Sequence, residues 1–295
     1  MKTKILLTGG NGFIGKNILE SHLAAKYDIT APRSFELNLA DTEAADNFFK
    51  DKQFDVVLHS ATKPGHRNAK DLSNLFYTNV RMFENLERNK AHFGKLINFG
   101  SGAVYDVSTN ITDAREESIF NKMPKDEHGF CKYVVAKQIE KLDNFIDLNI
   151  FGIFGKHEDY AIRFISNAVC KAIKGLPITL RQNRRFSYLF VEDLIPVLEF
   201  LIENKAKYNS YNIVPDEKAE LLALAQAVKE LAGGNIEIKV AAPGYGLDYT
   251  GNNDRIKKEI PGLKFTPMRD AVAKLYNFYK SNEGIINTNA LKEDK

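Results

Sequence analysis

Residues 8–15 read Thr-Gly-Gly-Asn-Gly-Phe-Ile-Gly and follow the apolar run Ile5-Leu6-Leu7. The chemistry this spacing offers is recognition of a pyrophosphate. A short strand runs into a turn with glycine at 9, 12 and 15, and a helix begins near Phe13. Such a turn brings backbone N–H groups and a helix N-terminus up to phosphate oxygens. Glycine is needed where φ is positive or where a Cβ would block the ligand. The position between a strand and a helix gives the pattern its weight, and a tight turn without ligand is the plain alternative.

The elements that must hold this turn alternate along the first half. A strand at 4–8 leads to a helix at about 13–26 and a weak strand, Asp28-Ile29-Thr30. A helical stretch at 42–52 precedes Phe54-Asp55-Val56-Val57-Leu58-His59, an apolar run typical of a buried parallel strand. A long helix over 72–93, a strand Lys95–Phe99, a helix over 128–146 and a strand at 148–153 complete the rhythm. This βαβα order predicts an α/β fold with a doubly wound parallel sheet and right-handed crossovers. Residues 1–155 form the first domain, with part of 180–215 returning to the sheet. Residues 156–285 are expected as a smaller lobe, with helices near 160–174, 193–204, 217–232 and 267–281. The polar tail 286–295 is expected to fray.

Composition narrows the function class. The 295 residues are 44% apolar, enough for a sizeable core, and carry a net charge of only +3. The basic residues are scattered, so neither nucleic acid nor a membrane surface is implied. No apolar run is long enough to span a bilayer, and glycines interrupt the first one, which does not read as a signal peptide. Two cysteines, Cys131 and Cys170, imply no disulfide framework, and a reducing cytoplasm is the expected location.

Several segments together resemble the extended short-chain dehydrogenase/reductases of the nucleotide-sugar epimerase, dehydratase and reductase group. They are Thr8–Gly15, Phe54–Ala61, Asn79-Val80, Phe99-Gly100-Ser101-Gly102-Ala103-Val104-Tyr105, Phe151–Gly155 and Val191-Glu192-Asp193-Leu194. The resemblance implies a Rossmann-type sheet, a C-terminal substrate lobe, and hydride exchange at a sugar carbon through a bound nicotinamide. It places the cofactor against Gly9, Asn11, Gly12, Phe13, Ile14 and Gly15. It also implies contacts from Asn38 and Leu39 beside the adenine, from Ser60, Ala61 and Thr62 at the end of the third strand, and from Asn79. NAD-preferring sites carry an acid after the second strand. Here that region is Ala31-Pro32-Arg33-Ser34, and Arg33 suits a 2′-phosphate. NADP is therefore the favoured cofactor, with NAD the alternative.

Members of the group use a serine or threonine, a tyrosine and a lysine. Ser101 fits the serine. The tyrosine has two registers. Tyr133-Val134-Val135-Ala136-Lys137 matches Tyr-x-x-x-Lys literally, whereas His128-Gly129-Phe130-Cys131-Lys132 matches Tyr-Gly-x-Ser-Lys with histidine for tyrosine and cysteine for serine. Helical phase favours the second. His128, Lys132, Val135, Ile139, Leu142 and Ile146 share a face that becomes apolar, and Tyr133 and Lys137 fall opposite. Separation agrees, since His128 follows Ser101 by 27 residues and Tyr133 by 32. The expected catalytic set is Ser101, His128 and Lys132, with Lys132 also binding the nicotinamide ribose. Lys132 would depress the His128 pKa and favour neutral imidazole. Tyr105 is expected to pack, and Asp126 to cap the helix.

Substrate contacts are sought among Arg163, Arg181, Arg184 and Arg185, whose guanidinium groups suit a diphosphate; Arg163 and Arg185 are the chosen pair. The implied activity is NADP-dependent reduction of a nucleoside-diphosphate 4-keto-6-deoxysugar. An epimerase or dehydratase retaining its cofactor is the second reading, and a dinucleotide-binding protein without catalysis the third. The resemblance also implies a homodimer through the helices at 72–93 and 128–146.

Overall fold

The computed structural model describes residues 2–65 and 71–292. In chain order the first half runs β1 (Lys4–Thr8), α1 (Phe13–Leu19), α2 (Leu23–Lys26), β2 (Asp28–Thr30), α3 (Thr42–Phe49), β3 (Phe54–His59) and α4 (Leu75–Arg88). It continues with β4 (Phe93–Ser101), β5 (Ile111–Ala114), α5 (Glu127–Ile139), β6 (Phe145–Ile150) and β7 (Gly152–Phe154). Then follow α6 (Phe164–Ile173), β8 (Ile178–Leu180), β9 (Arg185–Phe186), β10 (Tyr188–Phe190), α7 (Leu194–Glu203) and β11 (Ser210–Ile213). The chain ends with β12 (Ala219–Glu220), α8 (Leu221–Leu231), β13 (Ile238–Val240), β14 (Tyr249–Gly251), α9 (Asp254–Glu259), α10 (Met268–Ser281) and α11 (Thr288–Lys292).

Six strands form one sheet in the order β11-β6-β4-β3-β1-β2. Every pairing in it is parallel, as the βαβ rhythm requires. Its two faces are covered separately. On one side Ile5, Leu7, Leu58, Ile97 and Leu148 pack with Ile18, Leu198 and Leu201 of α1 and α7. On the other, Leu6, Val57 and Leu96 pack with Phe49, Phe83 and Val135 of α3, α4 and α5. The strand order reverses between β1 and β3, the place where open α/β sheets bind ligands beyond their strand ends.

The remaining strands build the second lobe. A four-stranded sheet has the order β12-β9-β14-β5, and β7 leaves the main sheet to pair in parallel with β10. α6, α8 and α10 close a second core around Val169, Val228 and Val272. β11, within 180–215, is the strand that returns to the main sheet beside β6.

Several elements differ from the sequence reading. The helix expected over 13–26 breaks at Ser21, whose Oγ donates to the Ile18 carbonyl and accepts from Leu23 N. The helix expected over 128–146 ends at Ile139, because Asn144 takes φ 61° and residues 145–150 become β6. Ile146 is therefore a strand residue and not part of the helix face. The tail is not frayed through residue 292, since Ile286 and Leu291 are buried in the second core and α11 packs on α6.

Candidate active site

The turn after β1 has the shape its glycines imply. Gly9 adopts φ +72°, and a Cβ there would lie 2.7 Å from Ala61 N at the end of β3. A Cβ on Gly15 would collide with the Gly9 carbonyl and stand 2.7 Å from Gly10 Cα. Gly12 caps α1, and its N–H donates to the Gly9 carbonyl at 2.9 Å. Backbone thus passes close to backbone at the sheet's switch point, leaving Asn11 and Gly12 exposed and Phe13 and Ile14 on the wall of the neighbouring cleft.

The other expected cofactor residues separate into groups. Ser60 and Thr62 line the cleft, and Ala61 N donates to Thr8 Oγ1 at 3.2 Å. Asn79 ties down this loop: its Oδ1 accepts from Lys63 N and its Nδ2 donates to the Lys63 carbonyl. Arg33 is exposed, with its backbone N–H donating to Glu36 at 2.8 Å. Asn38 is exposed in a local turn with Ala40 N. Leu39 is a correction. It is buried with Phe49, Phe83 and Leu86 beneath α3 and α4, so its side chain stabilises the core and does not face a ligand.

Ser101, His128 and Lys132 line one cleft of about 530 Å³ that also contains Phe13, Ile14, Ser60 and Thr62. β4 carries Ser101 at its carboxyl end, where Oγ accepts from Ala103 N at 3.1 Å. α5 presents His128 and Lys132 one turn apart. Asp126 caps that helix, accepting from Gly129 N at 2.8 Å. Lys132 Nζ donates to the Phe99 carbonyl at 3.0 Å. The opposite register points away from the cleft: Tyr133 packs edge-on against Phe120 at 5.5 Å, and Lys137 lies over that ring. Tyr105 is engaged elsewhere, its hydroxyl donating to Asn212 at 2.8 Å in the interior.

Comparison with known proteins follows from this geometry. The model of the NAD dependent epimerase/dehydratase family matches residues 5–214. The chain belongs to this family. Among curated relatives, a GDP-L-colitose synthase from Yersinia pseudotuberculosis is 23% identical over 228 residues, 69% of this chain and 73% of the relative. Among solved structures, a GDP-6-OMe-4-keto-L-xylo-heptose reductase from Campylobacter jejuni is 18% identical with a TM-score of 0.80, covering 95% of this chain and 98% of that one. A GDP-mannoheptose C4 reductase from Campylobacter jejuni, solved with NADP bound, is 19% identical with the same TM-score and coverage. These structures share the Rossmann-type fold.

The electrostatics of this epimerase/dehydratase-family cleft centre on Lys132. His128 is held down to about 4, first by burial and second by the Lys132 charge, with Arg163 adding to it and Asp126 opposing. Burial thus outweighs the charge that the sequence pointed to. Behind them His59, hydrogen-bonded to Thr8 at 2.8 Å, is lowered to about 3 by burial and Lys132. Asp147, which accepts from Asn98 at 2.6 Å, is raised to about 6 by burial.

A second cavity of about 540 Å³ adjoins the cleft through Ile162, Phe164, Phe186 and Tyr188. Lys171, Arg181 and Arg184 line it. Arg184 lies over the Phe186 ring at 4.6 Å, and its Nε is buried without a partner. Arg163, at the N-terminus of α6, lines the first cleft. Arg185 is a second correction. It lines neither cavity, because the strand alternation of β9 turns it outward to a two-contact ion pair with Asp248, at 3.1 and 2.5 Å. Sequence reasoning also passed over three cleft residues: Glu158, Tyr188 and Tyr249. Glu158 accepts from Ser166 at 2.5 Å and is raised to about 8 by burial. The polar Asp248-Tyr249-Thr250 run gave no signal of a buried strand.

Proposed function

We propose that this chain is an NADPH-dependent reductase of a 4-keto sugar carried on a nucleoside diphosphate. The observation that carries the reading is a single cleft. It joins the glycine turn to Ser101, His128 and Lys132, and opens onto a cation-lined cavity of diphosphate size. The family membership supports it, as do the names of the relatives, which point to GDP-linked sugars and 4-keto reduction.

The residues fit a dinucleotide, since Gly9 and Gly15 let backbone pack on backbone and the turn leaves Asn11 and Gly12 exposed at the start of α1. Gly9, Asn11, Gly12, Phe13, Ile14 and Gly15 hold the pyrophosphate side. Arg33 faces the 2′-phosphate, Asn38 the adenine, and Ser60, Ala61 and Thr62 the middle, with Asn79 fixing that loop. Lys132 holds the nicotinamide ribose. When bound there, the reduced nicotinamide supplies a hydride. Ser101 and His128 orient the substrate carbonyl oxygen. With its pKa near 4, His128 is neutral imidazole at pH 7 and donates one N–H hydrogen bond without carrying charge. Arg184 and Arg181, flanked by Phe164 and Phe186, take the nucleoside diphosphate. The packed α4–α5 pair, with Phe76 stacked on Phe130 at 5.2 Å, is the proposed homodimer face. A cytoplasmic site of action accords with free Cys131 and Cys170. Among the described residues no helix is long and apolar enough to cross a membrane.

The test is NADPH oxidation with a panel of GDP-, UDP- and dTDP-linked 4-keto-6-deoxysugars, alongside NADPH binding by fluorescence. Turnover on one of them is expected. Binding without turnover on any sugar would replace this reading with that of a dinucleotide-binding protein.

A further inference from the structure

A reduction needs a proton donor for the oxygen that the hydride leaves negative, and α5 does not present a phenol to the cleft. Tyr133 lies on Phe120, and Tyr105 is committed to Asn212. His128 is neutral and holds no imidazolium proton to give. The phenols on the cleft wall come from the second lobe. Tyr188 stacks on Phe186 at 4.9 Å, facing Glu158 and Arg184 on the side of the second cavity. Tyr249 is placed differently.

Tyr249 begins β14, which is held between β5 and β9 by pairing with Ile111 and Phe186. Its ring is clamped by Phe151 at 4.9 Å and by Phe186 at 5.7 Å. Gly251, two residues on, makes this possible, because a Cβ there would stand 2.8 Å from the Phe151 ring. The clamp leaves Tyr249 9% exposed and sets it on the wall of the cleft that Ser101, His128 and Lys132 also line. Ser101 Oγ is itself fixed by Ala103 N. A phenol from one lobe and a hydroxyl from the other thus face the same cleft.

We propose that Tyr249 is the proton donor of the reduction and that Ser101 aligns it with the substrate oxygen. The inference rests on the reductase reading. In the step, the carbonyl carbon receives the hydride of the reduced nicotinamide dinucleotide and the C=O π pair moves onto oxygen. The Tyr249 O–H bond breaks as the new alcohol O–H bond forms, and the phenolate regains a proton from water in the cleft. Burial pushes the phenol pKa well above its ordinary value, so it stays protonated beforehand and gives its proton only to a strong base such as the alkoxide the hydride leaves. The charged groups that face it are Arg163 and Arg184, which favour the phenolate as it forms, and Asp126, which opposes it.

Tyr249→Phe removes one oxygen and leaves the aromatic clamp. It is expected to lower kcat about 100-fold or more, with KM and NADPH affinity within about threefold, the range of general acid catalysis. Tyr133→Phe should leave activity unchanged. A second readout needs no turnover. In protein labelled with 13C at tyrosine Cζ, the resonance lost in Tyr249→Phe should shift in Ser101→Ala. It should shift again in the wild type when the alcohol product and NADP are added. A Tyr249→Phe enzyme within threefold of wild-type kcat, or a resonance indifferent to both changes, overturns the proposal alone. A wild type inactive on every 4-keto sugar overturns the reductase reading and this proposal with it.

Discussion

Replacing Lys132 by methionine separates the two causes that hold His128 neutral. Burial and the Lys132 charge lower the imidazole from 6.5 to about 4, a difference worth roughly 3 kcal/mol between its protonation states. Burial is the larger cause and Lys132 the second, with Asp126 opposing both. The Lys132→Met value is therefore expected to rise above 4 and to stay below 6.5, because burial remains. The assay is NMR titration of the six histidines, with His128→Asn assigning the signal. Linkage gives a second measure. The folded pKa lies below the unfolded one, so the unfolded chain binds more protons between pH 6.5 and 4. Stability from this group is complete above 6.5 and falls away as pH drops through 4, by at most about 3 kcal/mol. The variant should lose less over the same window in urea unfolding. A variant His128 that titrates at 6.5 would show that the charge dominates, and one that stays at 4 would show that Lys132 does not act on it.

Gly15→Ala should abolish NADPH binding in a fluorescence titration and lower stability by about 1–3 kcal/mol, because its Cβ meets the Gly9 carbonyl and Gly10 Cα. Arg184→Ala should weaken GDP binding about tenfold by calorimetry, the worth of one charge-assisted hydrogen bond, whereas Arg185→Ala should change it less than twofold. Glu158→Gln should unfold at higher urea than the wild type at pH 9, by at most about 5 kcal/mol, and lose that advantage at pH 4. The buried carboxyl is raised from 4.5 to about 8, so its folded state loses stability as pH rises through 8; an equal difference at both pH values would contradict this.

The parts of this molecule that were legible in sequence are those where one physical constraint acts alone. Gly9 and Gly15 answer to backbone proximity, and the phase of His128, Lys132, Val135 and Ile139 answers to one buried helix face. β6 was less legible because two of its buried residues, Asp147 and Asn149, are polar. Asp147 survives inside the sheet through Asn98 and through Gly100, where a Cβ would stand 2.8 Å from the Asp147 Cγ. No local pattern shows such partners from neighbouring strands. Arg185 and Leu39 failed for a related reason. Each is the right residue type near the right place, but β9 alternation and the α3–α4 core decide which way it faces. Tyr249 depended on a strand 148 residues beyond Ser101 in sequence, a tertiary placement that its polar neighbours hide.

The histidine at 128 has an electrostatic consequence that bears on the donor. A cation beside a tyrosine lowers the phenol pKa and makes it a better acid. Beside a histidine, burial first and the same Lys132 second lower the pKa, which leaves neutral imidazole, a poor acid. On the proposed reading, the acid role lies with Tyr249 and not at this position of α5. This makes a rescue experiment decisive. In Tyr249→Phe the added change His128→Tyr should restore kcat at least tenfold, since it returns a phenol to Lys132. The same change in the wild type should gain little, because Tyr249 already serves. Rescue would be read as NADPH oxidation at saturating sugar, with NADPH affinity measured separately. Failure of His128→Tyr to raise the crippled variant, with affinity intact, would mean that proton delivery is not what Tyr249→Phe removed.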